Sequence, residues 1–108
     1  MIVTVFRSRV KPEALQEYMQ WAGRMSELAS KMPGYISHKG YTADDGERVT
    51  LVEFESEEAQ RAWAMHPDHL EAQRKGRKDF YSEFRLQVCI VQRQSVYPHV
   101  TAIRAAGA

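Results

Sequence analysis

The feature that most constrains this chain is a turn near its middle. Asp45-Gly46 stands between two extended runs, "YISHKGYT" and "RVTLVEF", and Asp-Gly between such runs is a strong hairpin signal. What flanks the hairpin then decides the fold. On its N-terminal side, "KPEALQEYMQWAGRMSELASKM" places apolar residues at Leu15, Tyr18, Met19, Ala22, Met25, Leu28 and Ala29. That spacing predicts a helix with one buried stripe. Pro12 suits its first turn, and Pro33-Gly34 ends it. Before it, "MIVTVFRSRV" is β-branched and aromatic and predicts a strand over 2–10.

On the C-terminal side of the hairpin, Ser56 has the character of a helix N-cap, followed by Glu57 and Glu58. A short helix runs through Trp63. Pro67 interrupts it, because a residue before proline, here His66, is biased away from helix. A second helical piece is expected to end near Gly76, with Arg74 and Lys75 in its last turn. The final run, "DFYSEFRLQVCIVQR", predicts a long strand. Alternation puts Phe80, Phe84, Leu86, Val88 and Ile90 on a face packed against the helices. Tyr81, Glu83, Arg85, Gln87 and Cys89 fall on the other.

The resulting order, β-α-β-β-α-β, is the ferredoxin-like α+β arrangement: a four-stranded antiparallel sheet with helices on one face. Yet the strands carry apolar residues on both faces, Val3 and Val5 opposite Ile2 and Phe6, and Leu51 opposite Val52 and Phe54. A sheet covered on one side does not need that. A second copy of the chain is the economical cover, so a homodimer is expected. Residues 1–93 form the domain. Residues 94–108, "QSVYPHVTAIRAAGA", are expected to form an arm along the partner subunit.

Composition removes several function classes. The formal charge of +1 gives no global field toward nucleic acid or membrane. The basic run Arg74 to Lys78 lacks interleaved aromatics and fits a helix C-terminus better than a nucleic-acid patch. The single cysteine, Cys89, forms no intrachain disulfide and fits a reducing cytosol. No apolar run approaches the roughly 20 residues of a membrane span, and the start lacks the marks of a signal peptide. A soluble, cytoplasmic protein is expected.

The stretch from Ala62 to Arg77, "AWAMHPDHLEAQRKGR", gathers most of the chemistry. His66 and His69 titrate near neutrality and are candidate general bases. As metal ligands they lack a third partner in sequence, so no metal is expected. His66 also has a purely local role available, as the cap at the break before Pro67. Trp63 is a platform for a flat substrate or an N–H donor, or else a core residue; an indole serves both ends. His38, on the strand face shared by Ile36 and Gly40, is a candidate substrate contact. So are Tyr81 and Arg85, expected side by side on the polar face of the last strand, where they would orient an oxyanion.

The second half of the chain, "VTLVEFESEEAQRAWAMHPDHLEAQRKGRKDFYSEFRLQVC", resembles antibiotic biosynthesis monooxygenase domains. Glu55-Ser56, Trp63, His69, Phe80, Tyr81 and Phe84 carry the likeness, and "MPGYISHKGY" resembles the family's Pro-Gly entry into the second strand. The resemblance implies a dimeric α+β barrel with a cleft in each subunit. One branch of that family oxygenates electron-rich aromatics such as quinols and anthrones with neither metal nor flavin. Another degrades haem, using a histidine about ten positions after the tryptophan. Here that position is near Gln73, and glutamine is a poor iron ligand. The resemblance therefore implies an oxygenase without cofactor, acting with O2 on a small aromatic. The alternative is a dimeric module that binds a small apolar ligand, or only scaffolds, without catalysis. An open cleft holding a convergent base would separate the two.

Overall fold

The computed structural model describes residues 1–98. Strand β1 (Ile2–Val10) leads through a 3-10 turn (Pro12–Ala14) into helix α1 (Leu15–Ala29). The hairpin follows as β2 (Tyr35–Thr42) and β3 (Arg48–Phe54), then α2 (Glu57–Ala64), α3 (Pro67–Lys75), one π-helical turn (Gly76–Phe80) and β4 (Tyr81–Ile90). The sheet is four-stranded and antiparallel, in the order β2-β3-β1-β4. This is the ferredoxin-like α+β fold expected from the order of local signals.

Local chemistry explains most element boundaries. Gly46 turns the hairpin with a φ of 90°, a region open to glycine at no steric cost. The Asp45 carboxylate accepts from the Glu47 amide at 3.0 Å and closes the turn from inside. Ser56 caps α2, its Oγ accepting from the Ala59 amide at 3.1 Å. Between helices and sheet lie two adjoining packed groups. Met25, Ala29, Val52, Phe54 and Trp63 form one, and Ala14, Tyr18 and Phe80 form the other.

The sequence reading of the elements needs correcting on α3, α1 and β4. Helix α3 ends beside Gly76 as expected, but Gly76 is not a left-handed stop. Its φ is −60°, and the chain continues helically to Phe80 before β4 begins. A Cβ at Gly76 would stand 2.5 Å from Tyr81 Cε2, so the glycine makes room for a ring. On α1, Leu15 and Met19 are half exposed, and the buried row runs instead through Tyr18 and Met25. On β4, only Phe80, just before the strand, is buried against the helices. Phe84, Leu86 and Val88 are about half exposed and Ile90 is 78% exposed, because β4 is the sheet edge beyond the helices' cover.

The opposite face of the sheet carries Val3, Val5 and Leu51, only partly covered, and the exposed Cys89. Arg7 pairs with Glu47 at 3.0 Å at the same end of that face where Arg9 pairs with Asp45 and Glu83. Apolar residues thus occupy both faces, as expected. Of the C-terminal arm, residues 99–108 lie outside the described residues.

Candidate active site

The kink between α2 and α3 builds the site. In an uninterrupted helix the amide of residue 67 would donate to the carbonyl of Trp63. Proline has no amide proton to give. The Trp63 carbonyl instead accepts from the His66 amide at 3.1 Å and pairs with His69 Nδ1 at 3.1 Å. That contact lays the His69 ring flat on the Trp63 indole, with centroids 4.4 Å apart and 13° between planes.

A carbonyl only accepts, so the proton of neutral His69 sits on Nδ1 and the lone pair on Nε2. Gln73 approaches the same Nδ1 at 3.3 Å through its amide. The atom placed there is the Gln73 Nε2; with the proton on His69 Nδ1, a half-turn of the amide, which exchanges its O and N ends, would let its oxygen accept instead. Burial pushes the His69 pKa down, against its backbone hydrogen bonds to Trp63 and Ala64, with His66 and His38 adding to the fall. His69 is therefore a neutral base with one committed nitrogen and one free.

His66 is held differently. Its Nδ1 accepts from the Asp68 amide at 3.1 Å, capping α3, and it is not among the residues that line the cleft. Of the two histidines in the kink, the structure brings only His69 to the cavity. Among the described residues, no group of three or more His, Cys, Asp or Glu is placed to hold a metal.

The cleft lies between sheet and helices, with a volume of about 190 Å³. Trp63, His69 and Gln73 form its helical lip, and His38 enters from β2. The His38 pKa is lowered, chiefly by burial; a hydrogen bond to its own backbone opposes this, and the Arg48 charge reinforces it. Tyr81 and Phe84 close the far side, packed edge-on and tilted against Phe6 at 5.3 and 5.8 Å. Burial, with Tyr18 nearby, raises the Tyr81 pKa, so its phenol stays protonated and can donate.

Tyr81 and Arg85 do not share a face, contrary to simple alternation. Arg9 pairs with Glu83 but Val10 pairs with Tyr81, so Ser82 is an extra residue, a bulge that resets the pleat. Tyr81 turns into the cleft with Phe84 and Leu86, while Arg85 joins Arg7, Arg9, Glu47 and Glu83 around a separate polar depression.

The sequence reading missed Trp21, which lines the cleft from α1 with Arg24 over its ring at 5.5 Å. The signal was present: Tyr18, Trp21, Met25 and Leu28 run at three- and four-residue spacing. Phe6, Thr4 and Thr50, from the sheet, also line the cleft and were not singled out.

A ferredoxin-like domain with an aromatic cleft holding two neutral imidazoles defines a class of small-molecule sites, and comparison narrows the class. The family model for antibiotic biosynthesis monooxygenases matches residues 1–75; the chain belongs to that family. It is 32% identical over 97 residues to the uncharacterized protein YqjZ of Bacillus subtilis (strain 168), covering 90% of this chain and 85% of YqjZ. Rv0793 from Mycobacterium tuberculosis has a similar fold, with TM-score 0.79 and 17% identity over 88% of this chain and 98% of that one. SnoaB, a cofactor-independent oxygenase from Streptomyces nogalater, is also similar, with TM-score 0.76 and 18% identity over 91% of this chain and 97% of that one.

Proposed function

We propose that the protein is a monooxygenase that works without a bound cofactor on a small electron-rich aromatic of the quinol or anthrone type. The observation that carries this reading is His69 at an aromatic-walled cleft, its Nδ1 held on the Trp63 carbonyl, with a second imidazole, His38, lining the same cleft. The imidazole removes a proton from a phenol or an activated C–H. The resulting anion passes one electron to O2, and the radical and superoxide combine in a C–O bond. Loss of water from the peroxide then leaves a carbonyl: one oxygen stays on carbon, and the other departs as water with two substrate hydrogens. Trp63 and Trp21 hold the ring. The Tyr81 phenol donates to the oxyanion. Enclosure keeps water from the intermediates.

Size refines the substrate. The cavity, about 190 Å³, is below the roughly 300–1,000 Å³ of pockets for drug-sized ligands, which favours quinols and other small aromatics over polycycles larger than an anthrone. The residues do not fit haem in the way that branch binds it: Gln73 stands where the haem branch needs an imidazole.

The apolar sheet face around Val5 and Leu51 supports a homodimer. The exposed thiol of Cys89 fits a cytoplasmic setting. Among the described residues, no helix is long and apolar enough to cross a membrane.

Oxygen uptake with a panel of hydroquinones, naphthols and anthrones, using metal-free protein, tests the proposal. Uptake above the spontaneous rate that falls in His69→Ala and Trp63→Phe is expected. Equal rates with and without protein across the panel would move the assignment to a binding module.

A further inference from the structure

Next to the cleft, behind its wall residues His38 and Thr50 and not itself a lining residue, Arg48 lies on the helix-facing side of β3. In the β2–β3 ladder, His38 pairs with Val52, Gly40 with Thr50, and Thr42 with Arg48. The Arg48 side chain folds back over Gly40 toward the cleft. A Cβ at Gly40 would collide with the guanidinium, reaching its Nη2 first and then Cζ at 2.8 Å. Only glycine leaves that space. The guanidinium thus lies beside Thr50, a wall residue of the cleft, and close enough to His38 to disfavour its protonation.

What Arg48 lacks is an anion. Its Nη1 donates to Thr42 Oγ1 at 3.2 Å. Its Nε is buried and has no hydrogen-bond partner among the described residues. On the opposite face Arg7 and Arg9 are each paired with carboxylates, while Arg85 beside them makes no ion pair among the described residues. Among the described residues no carboxylate lies within ion-pair distance of Arg48. Arginine only donates. A buried donor with nothing to donate to calls for an acceptor, and the uncompensated charge calls for a negative one.

We infer that Arg48, admitted by Gly40, binds a carboxylate on the substrate, so that the aromatic taken by this cleft is a hydroxy-aromatic acid. The inference rests on the proposed reading of the cleft and adds the polarity of the ligand. The ring lies among the aromatics near His69, and its carboxylate reaches past His38 to the guanidinium. Neutralising Arg48 in this way also removes a charge that suppresses the basicity of His38, so binding of the acid strengthens a base beside it.

Anaerobic calorimetric titration of the full chain with 1-hydroxy-2-naphthoate and 1-naphthol tests this, because the two share a ring system and differ by the carboxylate. The acid is expected to bind roughly tenfold or more tightly than the naphthol. In Arg48→Met and in Gly40→Ala the ratio should fall toward one, while Arg48→Lys keeps part of it. Circular dichroism of each variant checks the fold. Arg77, an exposed cation that also borders the cleft, is the control position. A ratio near one in the unaltered protein, a ratio that survives Arg48→Met, a ratio abolished by Arg77→Met instead, or no binding of either probe would each overturn the inference. Because the titration excludes oxygen, its outcome is separate from that of the uptake assay. Preference for the acid without oxygen consumption would keep the Arg48 site and remove the oxygenase reading. Oxygen consumption with equal affinities would do the reverse.

Discussion

The imidazole of His69 lies on the indole of Trp63 with centroids 4.4 Å apart, and its Nδ1 is tied to the carbonyl of that same residue. One residue thus sets both the plane and the tautomer of the histidine. The arrangement depends on Pro67, which leaves the Trp63 carbonyl without its helical donor. His69→Ala is therefore expected to lower kcat/KM by about 10²-fold or more with little change in thermal stability. His66→Ala should lower stability by about 1 kcal/mol, as loss of a cap does, with activity largely kept. Steady-state rates and urea unfolding on both variants check the division of labour. Equal activity losses would place His66 at the chemistry too.

Protonation of His69 and His38 gives a second prediction. Both pKa values lie below the ordinary 6.5, chiefly because burial penalises the charged ring. For a histidine depressed on folding, the unfolded chain binds more protons as pH falls. The stability these rings contribute is complete above 6.5 and is lost as pH drops through their folded values. Activity follows the same direction, since only the neutral ring is a base. The acid limb of kcat/KM should fall below 6.5, and unfolding free energy should decline over the same window. His69→Gln should flatten part of that decline. A rate limb centred above 6.5 would contradict the assignment.

Trp63 separates packing from function. It is 5% exposed and sits among Met25, Ala29, Val52 and Phe54. Trp63→Ala should cost about 3–5 kcal/mol, as removal of a large buried ring does. Trp63→Phe should cost less but still disturb the stacked imidazole, so activity should fall further than stability alone explains. Urea unfolding beside single-turnover rates reads the two effects apart.

The main architecture was legible because each local signal agreed with its neighbours: the Asp45-Gly46 turn, the Ser56 cap and the Pro67 break all stand where the residues place them. The errors share a physical cause. Helical spacing shows which residues are able to face inward but not how far the core extends, so the spacing predicts burial for Leu15 and Met19, which the core does not reach. Likewise β4 alternates perfectly in sequence, but it is an edge strand, and the helices end before its outer residues. The Ser82 bulge has no signature in side-chain type, and one extra residue was enough to part Tyr81 from Arg85. The Arg48 cradle was invisible for another reason: Gly40 and Arg48 are brought together only by hairpin register.

The open face of the sheet supports a prediction about assembly. Val3, Val5 and Leu51 lie at its centre with the exposed Cys89 beside Val3. Val5→Lys combined with Leu51→Glu would set charges on directly paired positions of one sheet, where they attract each other within a subunit. In a two-fold interface the same charges would be withdrawn from water, at a cost their partial pairing does not offset. Sedimentation velocity should show a dimer for the unaltered chain and a monomer for the double variant. A monomer in both cases would remove the homodimer.

Gly76 yields the sharpest test of packing. Its backbone is helical, so replacing it with alanine would ordinarily stabilise a helix by about 1 kcal/mol. Here the new methyl would stand 2.5 Å from Tyr81 Cε2 and 3.1 Å from Cδ2. Tyr81 is itself wedged against Phe6, Tyr18 and Phe84 at 5.3 to 5.9 Å, so its ring has little room to retreat. Gly76→Ala should therefore destabilise by about 1–3 kcal/mol, as overpacking does, and displace the phenol from the cleft. Tyr81→Ala in the same chain should make the Gly76→Ala change neutral or favourable, since the clash is then gone. A double-mutant cycle by urea unfolding measures this coupling. A stabilised single variant would mean that Tyr81 does not occupy the space above Gly76.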